Sequence, residues 1–323
     1  RPSWSRKKPK STDARASSSL TGRRPAEFLG YDALEADATI TGIKTQGERV
    51  WIALDRTPFY AESGGQAGDA GTLLPARGEG DSPSRPEEGW LVTGTTKTGG
   101  VFWHELASTP GAGGRGALPT GPGVEVRAVV DAGRRRRTEP HHTGTHLLHL
   151  ALREELGDHA TQAGSAVGPD RLRFDFTHGA ALTADQRERI ERRVNELARA
   201  NHAVTTHVDI TPQEAKERGA MALFGEKYGD KVRMVEIGPS KELCGGTHVR
   251  SSAEVFPFRI LAEASAQSGV RRIEAVAGEA ALETYREETA RLGETATALK
   301  ARPTETVEAV QRLQTELKEE RSK

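Results

Sequence analysis

The stretch Glu139-Pro-His-His-Thr-Gly-Thr-His-Leu-Leu-His-Leu-Ala-Leu-Arg-Glu-Glu-Leu156 marks the point where the chain changes from strand-like to helical periodicity. Leu147, Leu148, Leu150 and Leu156 supply an apolar face. Thr138 suits an N-cap, Pro140 a first turn and Gly157 a stop, so the spacing predicts a helix over Glu139 to Leu156. On such a helix His142 and His146, four apart, lie on one face one turn from each other. His149 follows on the same side, whereas His141 points elsewhere. The sole cysteine stands far downstream, in Cys244-Gly-Gly-Thr-His248. A lone thiol cannot close an intrachain disulfide, which leaves metal binding or packing. One thiolate and three imidazoles are a donor set suited to tetrahedral zinc. Gly245 and Gly246 let the backbone turn tightly enough for Cys244 and His248 to converge. The expected ligands are therefore His142, His146, Cys244 and His248. A zinc-protease helix carries Glu directly after its first His; Thr143 stands there, which excludes that peptidase chemistry. Four protein ligands describe a closed structural site, whereas catalysis needs an open position, and the spacing is compatible with either role.

Upstream, from Tyr31 to Val130, short alternating segments are separated by glycine turns. Ala38–Ile43 and Val50–Leu54 flank a turn at Thr45–Glu48, a hairpin pattern. Trp90–Thr93 and Val101–His104 flank Thr98-Gly-Gly100, and Val124–Val130 forms a last strand. This pattern predicts a small closed barrel. The stretches Gly78 to Gly89 and Gly111 to Gly123 are rich in glycine and proline and read as surface loops. Downstream, the pattern is α+β: strands at Arg171–Phe176, Lys231–Ile237, Phe256–Ala262 and Val270–Val276 pair into an antiparallel sheet. A charged helix at Thr183–Asn201 buries Ile190, Val194 and Leu197. After Gly278 the chain is helical and charged. Leu292, Leu299, Val307, Val310, Leu313 and Leu317 recur at helical spacing on either side of Pro303. Two helices are expected there, as an amphipathic hairpin or the start of a coiled coil.

The expected organisation is a disordered basic tail over 1–24, a β-barrel domain over 25–133, a zinc-containing α+β domain over 134–280 and a helical segment over 281–323. The 323 residues suffice for two or more cores. An apolar fraction of 35% against 28% charged residues is lean, which implies long solvated loops or tails. The 46 basic and 46 acidic residues cancel, so no global basic field points to a nucleic acid. Basic groups cluster locally at Arg6–Lys10, Arg134–Arg137 and Arg271-Arg272. No apolar run is long enough to span a bilayer and no signal-peptide core is present, which predicts a cytoplasmic protein without a membrane partner. The absence of an initiating Met and the charged helical end predict a piece of something longer.

The blocks His142-Thr-Gly-Thr-His-Leu-Leu-His149, Ser63-Gly-Gly-Gln66 and Cys244-Gly-Gly-Thr-His248 together resemble the editing region of alanyl-tRNA synthetases and the related free-standing alanyl-tRNA editing proteins. The resemblance runs from about Phe28 to Leu282. It includes Thr57-Pro-Phe-Tyr-Ala-Glu-Ser-Gly-Gly-Gln66, Leu172-Arg-Phe-Asp-Phe176, Ala222-Leu-Phe-Gly-Glu-Lys-Tyr228 and Gly269-Val-Arg-Arg-Ile-Glu274. Threonyl-tRNA synthetases carry a related domain with the same two metal motifs, but the entry Phe28-Leu-Gly-Tyr31 and the barrel look like the alanyl type.

The resemblance implies hydrolysis of tRNA(Ala) mischarged with serine or glycine, with zinc held by His142, His146, Cys244 and His248. It assigns Thr145 and Gln162 to the editing pocket and places the Ser63–Gln66 loop along the same cleft, so that Thr145, Gln162 and Gln66 are the expected catalytic residues. Without it, Thr145 reads as a hydroxyl bonding its own preceding turn and Gln162 as a loop amide. Gly144, often alanine in the family, loosens the helix by up to about 1 kcal/mol. The arginine clusters are candidates for tRNA phosphates, or, for Arg271-Arg272, for pairing with Glu274 or neighbouring carboxylates. The ATP-dependent aminoacylation domain would precede this region, and an oligomerising part would follow it. The competing readings are a free-standing editing protein and a non-catalytic, zinc-stabilised tRNA-binding module.

Overall fold

A computed structural model describes residues 25–76, 89–107, 121–221 and 229–322. The basic tail over 1–24, the block Ala222–Tyr228 and most of the two glycine-rich loops lie outside the described residues. The chain forms two compact units. The first ends at Asp131 and omits Ser63–Ala67; that short segment belongs with Ala132 onward in the second.

In the first unit, β1 (Glu27–Phe28) pairs in parallel with β4 (Arg56–Thr57). The rest is a closed six-stranded barrel. Its strands are β2 (Glu35–Gln46), β3 (Arg49–Leu54), β5 (Gly71–Pro75), β6 (Trp90–Thr98), β7 (Val101–Leu106) and β8 (Glu125–Val130), in the order β2-β3-β7-β6-β5-β8. The β6–β7 turn needs left-handed backbone at Gly99 (φ +58°) and Gly100 (φ +81°), which glycine adopts without steric cost. Inward-facing Ile40, Ile52, Leu54, Leu73, Val92, Leu106, Val126 and Ala128 fill the barrel, as the period of two requires. His104 sits among them, fully buried.

The second unit is α+β. It comprises α1 (Ala132–Leu156), β9 (Gln162–Val167), β10 (Leu172–Thr177), α2 (Ala184–Arg199), β11 (Val204–Ile210), α3 (Pro212–Glu217), β12 (Val232–Ile237), β13 (Ser240–Leu243), β14 (Phe258–Gln267), β15 (Val270–Ala277), α4 (Glu279–Ala298) and α5 (Thr306–Arg321). One antiparallel sheet runs β14-β15-β10-β9 and a second β11-β12-β13. Leu147, Leu148 and Leu152 of α1 and Ile190, Val194 and Leu197 of α2 share one core with Phe174, Phe176 and Ile273 of the first sheet. Thr183 caps α2 through a reciprocal box with Gln186, which fixes where that amphipathic helix begins. Gly157 (φ +106°) ends α1, its N–H donating to the Arg153 carbonyl at 2.9 Å.

The start of α1 corrects the sequence reading. The helix begins at Ala132, so Pro140 lies in its interior and Thr138 is not a cap; its hydroxyl donates to the Arg134 carbonyl at 2.9 Å. Arginine is a good helix former, and the arginine run is held from outside the helix. Arg137 makes a two-armed pair with Glu283 at 2.7 and 2.6 Å, and Arg135 is buried. The apolar face also shifts: Ala151 and Leu152 are buried, whereas Leu150 and Leu156 are half-buried. Arg271 pairs with Glu263, Arg272 with Asp175, and Arg171 with Glu274. These pairings favour packing over phosphate contact for Arg137, Arg271 and Arg272. In the C-terminal part Pro303 does separate two helices, but Leu292, Leu313 and Leu317 are exposed while Ala296 and Ala309 are buried.

Candidate metal centre

Two elements of the second unit bring the donors together. α1 places His142 and His146 with their rings stacked, centroids 5.4 Å apart and 9° from parallel. The turn after β13 brings Cys244 and His248, whose ring lies 4.5 Å from that of His142 and 5.0 Å from that of His146. The four donor atoms lie within 4.8 Å of one another. Cys244 Sγ is 3.4 Å from His142 Nε2 and 3.4 Å from His248 Nε2. A tetrahedral zinc ion with bonds of about 2.3 Å to sulfur and about 2.0 Å to nitrogen has edges of about 3.3–3.6 Å. The two sulfur–nitrogen distances of 3.4 Å match such edges. His146 Nε2 is buried without a hydrogen-bond partner of ordinary geometry among the described residues, a state it shares with His141 Nε2 and His149 Nε2 outside the donor set.

The turn is built for close approach. A Cβ at Gly246 would fall 2.0 Å from His142 Cε1, so only glycine passes there. Arg233, on β12, donates to the carbonyls of Cys244 (2.9 Å) and Gly246 (3.0 Å), and its own carbonyl accepts the Cys244 N–H at 3.0 Å.

Each imidazole is held from behind through Nδ1. Gln66 Oε1 lies 2.6 Å from His142 Nδ1, Glu242 Oε2 2.8 Å from His146 Nδ1, and Thr143 Oγ1 3.2 Å from His248 Nδ1. Glu242 Oε1 also reaches His149 Nδ1 at 3.0 Å. Such partners orient metal-binding imidazoles and raise their basicity.

The electrostatics are those of a site prepared for a cation. Burial works to raise the Cys244 thiol, but His142, His146 and His248 outweigh it and hold it well below its usual range. Burial likewise disfavours charge on His146, yet Glu242 and Cys244 outweigh it and push that imidazole up to about 10. Burial would raise Glu242, but His146 and His149 bring it down to about 2, a carboxylate at neutral pH. Burial and the neighbouring His142 lower His248 to about 3. Thiolate and carboxylate together thus retain one proton on His146 that a metal ion would replace.

Of the remaining sequence-predicted residues, Gln66 touches the group directly. Gln66 is fully buried directly behind His142, its amide engaged on both sides. Thr145, on α1, is buried and donates to the His141 carbonyl at 2.8 Å. Gln162, on β9, is half-buried and donates to Ser165 Oγ at 3.2 Å rather than to any of the four donors. Sequence reasoning missed Glu242, Thr143 and Arg233. For Glu242 a signal existed: it precedes Cys244 by two residues on an extended segment and so shares its face.

The family described as "Threonyl and Alanyl tRNA synthetase second additional domain" matches residues 232–274, which contain the cysteine turn. The family described as "tRNA synthetases class II (A)" matches residues 2–117, beginning upstream of Phe28 and including most of the barrel. The second unit thus contains a stretch matched by a synthetase additional domain, and the first unit is a barrel. Among curated proteins the chain is 45% identical to the alanine--tRNA ligase of Xanthomonas campestris pv. campestris (strain 8004) over 300 residues, covering 90% of this chain and 32% of that protein. It is 44% identical to the alanine--tRNA ligase of Chlorobaculum tepidum, covering 80% and 29%, and 43% identical to that of Roseiflexus sp. (strain RS-1), covering 91% and 34%. Over most of its length the chain is thus similar to alanine--tRNA ligases. It spans about a third of the length of these curated relatives. Among the described residues no helix is long and apolar enough to cross a membrane.

Proposed function

We propose that this chain is the editing part of an alanine--tRNA ligase and hydrolyses the ester of serine or glycine mischarged onto tRNA(Ala), in the cytoplasm and with zinc at the His/Cys group. The observation that carries the reading is the convergence of His142, His146, Cys244 and His248, with donor atoms within 4.8 Å of one another, in a chain 45% identical to an alanine--tRNA ligase. The chemical need is clear. A pocket made for alanine cannot exclude smaller glycine by size, and it rejects an added hydroxyl weakly, so a second, hydrolytic site is required.

Attack of water on the aminoacyl ester develops negative charge on the carbonyl oxygen, which hydrogen-bond donors must stabilise. Zinc, when bound, supplies positive charge that polarises a carbonyl or acidifies a water. In this reading Thr145, through the lone pairs left by its bond to His141, and Gln162, through its amide, orient the aminoacyl group. Gln66 acts through His142 instead of touching substrate. A second reading rests on one observation: all four donors come from protein, which favours an ion that holds the fold without reacting.

Deacylation decides between them. The chain should release serine from Ser-tRNA(Ala) while leaving Ala-tRNA(Ala) intact, and Cys244→Ala should lower that turnover by at least about 100-fold. Full zinc occupancy with no serine release above the uncatalysed rate would establish the non-catalytic module.

A further inference from the structure

We propose that Gln66 is a positioning residue for the metal centre: its side-chain amide fixes which nitrogen His142 presents to the ion and ties that histidine to the cysteine turn. The inference rests on the metal reading above and goes beyond it to a residue outside the ligand set. Gln66 Oε1 accepts the Thr247 backbone N–H at 2.9 Å. A backbone amide only donates, so the atom facing it is the amide oxygen. The same oxygen lies 2.6 Å from His142 Nδ1, which must therefore carry the proton. Only one tautomer remains, with the lone pair on Nε2, the nitrogen 3.4 Å from Cys244 Sγ. The other end of the amide, Nε2, donates to Thr247 Oγ1 at 2.9 Å, so a single planar group spans α1 and the turn.

The backbone around Gln66 is anchored accordingly. Ala67 N–H donates to the Val167 carbonyl at 2.9 Å, and Val167 N–H to the Gly65 carbonyl at 2.8 Å, fastening the segment along β9. Gly64 (φ +57°) and Gly65 (φ +83°) take left-handed backbone, and a Cβ at Gly65 would fall 2.2 Å from Ser165 Oγ. Ser63 N–H and the Gln66 carbonyl, and Gln66 N–H and the Ser63 carbonyl, close the turn on itself at 3.3 and 2.9 Å. Gln66 is thus presented on a stiff loop, and its orientation does not depend on a bound substrate.

The test compares Gln66→Leu, Gln66→Glu and the parent chain by titration with zinc against a chelator, and with cobalt as a spectroscopic substitute. Gln66→Leu keeps the volume and loses the acceptor; it should weaken zinc by about 10- to 100-fold and shift the visible cobalt bands. Gln66→Glu keeps an acceptor for His142 Nδ1–H and should stay within about threefold of the parent with unchanged bands, which separates the acceptor from the donor to Thr247. Parent-like affinity and spectrum in Gln66→Leu would overturn the proposal while leaving the metal reading intact. An equal loss in Gln66→Glu and Gln66→Leu, with or without a folding defect in the latter, would also overturn it, because then the acceptor is not what matters. A parent chain that binds neither ion would overturn the metal reading and this inference together.

Discussion

The buried histidines of the two units make opposite uses of the same side chain. In the barrel, His104 Nδ1 donates to the Ile52 carbonyl at 2.9 Å, and its Nε2 lies 2.8 Å from the Thr57 hydroxyl. Both nitrogens are satisfied by neutral groups, and burial lowers the ring to about 4. In the second unit, His146 is as deeply buried, but a carboxylate faces one nitrogen and the other has no hydrogen-bond partner among the described residues. Its affinity for a proton rises to about 10, because the opposing charges of Glu242 and Cys244 outweigh burial. Burial alone therefore yields an inert core histidine. Burial beside a thiolate and a carboxylate yields a donor awaiting a cation.

This contrast can be broken most severely by removing the ion. Chelation should lower the thermal transition of the second unit by an amount equivalent to several kcal/mol and leave the barrel transition in place, as calorimetry can resolve. An equal shift in both transitions would contradict the assignment of the metal to one unit.

A smaller effect, confined to the same unit, is expected from Glu242→Leu. It strips His146 and His149 of their shared acceptor in a site where both rings are buried. A loss of roughly 3 kcal/mol in denaturant unfolding, with weaker zinc retention, is the expected outcome. An unchanged midpoint would show that the carboxylate is dispensable.

A graded effect belongs to the barrel and depends on pH. Burial makes the folded His104 bind its proton only at about 4, below the usual 6.5. Between those values the unfolded chain holds more protons, so stability rises with pH across that window. The contribution is complete above about 6.5 and is lost as pH falls towards 4, at up to about 1.4 kcal/mol per unit. His104→Phe should flatten this dependence for the barrel transition; an unchanged slope would show that another group carries it.

The parts legible in the sequence were those governed by short-range rules. The paired turn glycines Gly99-Gly100 marked a hairpin because few other residues accept that backbone. The intervals between His142 and His146, and between Cys244 and His248, named the donors the structure gathers, because a helix and a tight turn fix local geometry. Thr138 and Pro140 misled, since both resemble helix-start signals. The true start at Ala132 is sustained by tertiary contacts such as Arg137 with Glu283, which no local pattern encodes. The clasp between Gln66 and His142 was equally hidden: its partners stand 76 positions apart and meet only when the loop is fastened to β9.

In the proposed metal centre one ion is gripped by three imidazoles and one thiolate. X-ray absorption at the zinc edge on the metal-loaded chain measures this directly. The account predicts one sulfur at about 2.3 Å and three nitrogens at about 2.0 Å. A first shell without sulfur, or no bound zinc after loading and desalting, would contradict it.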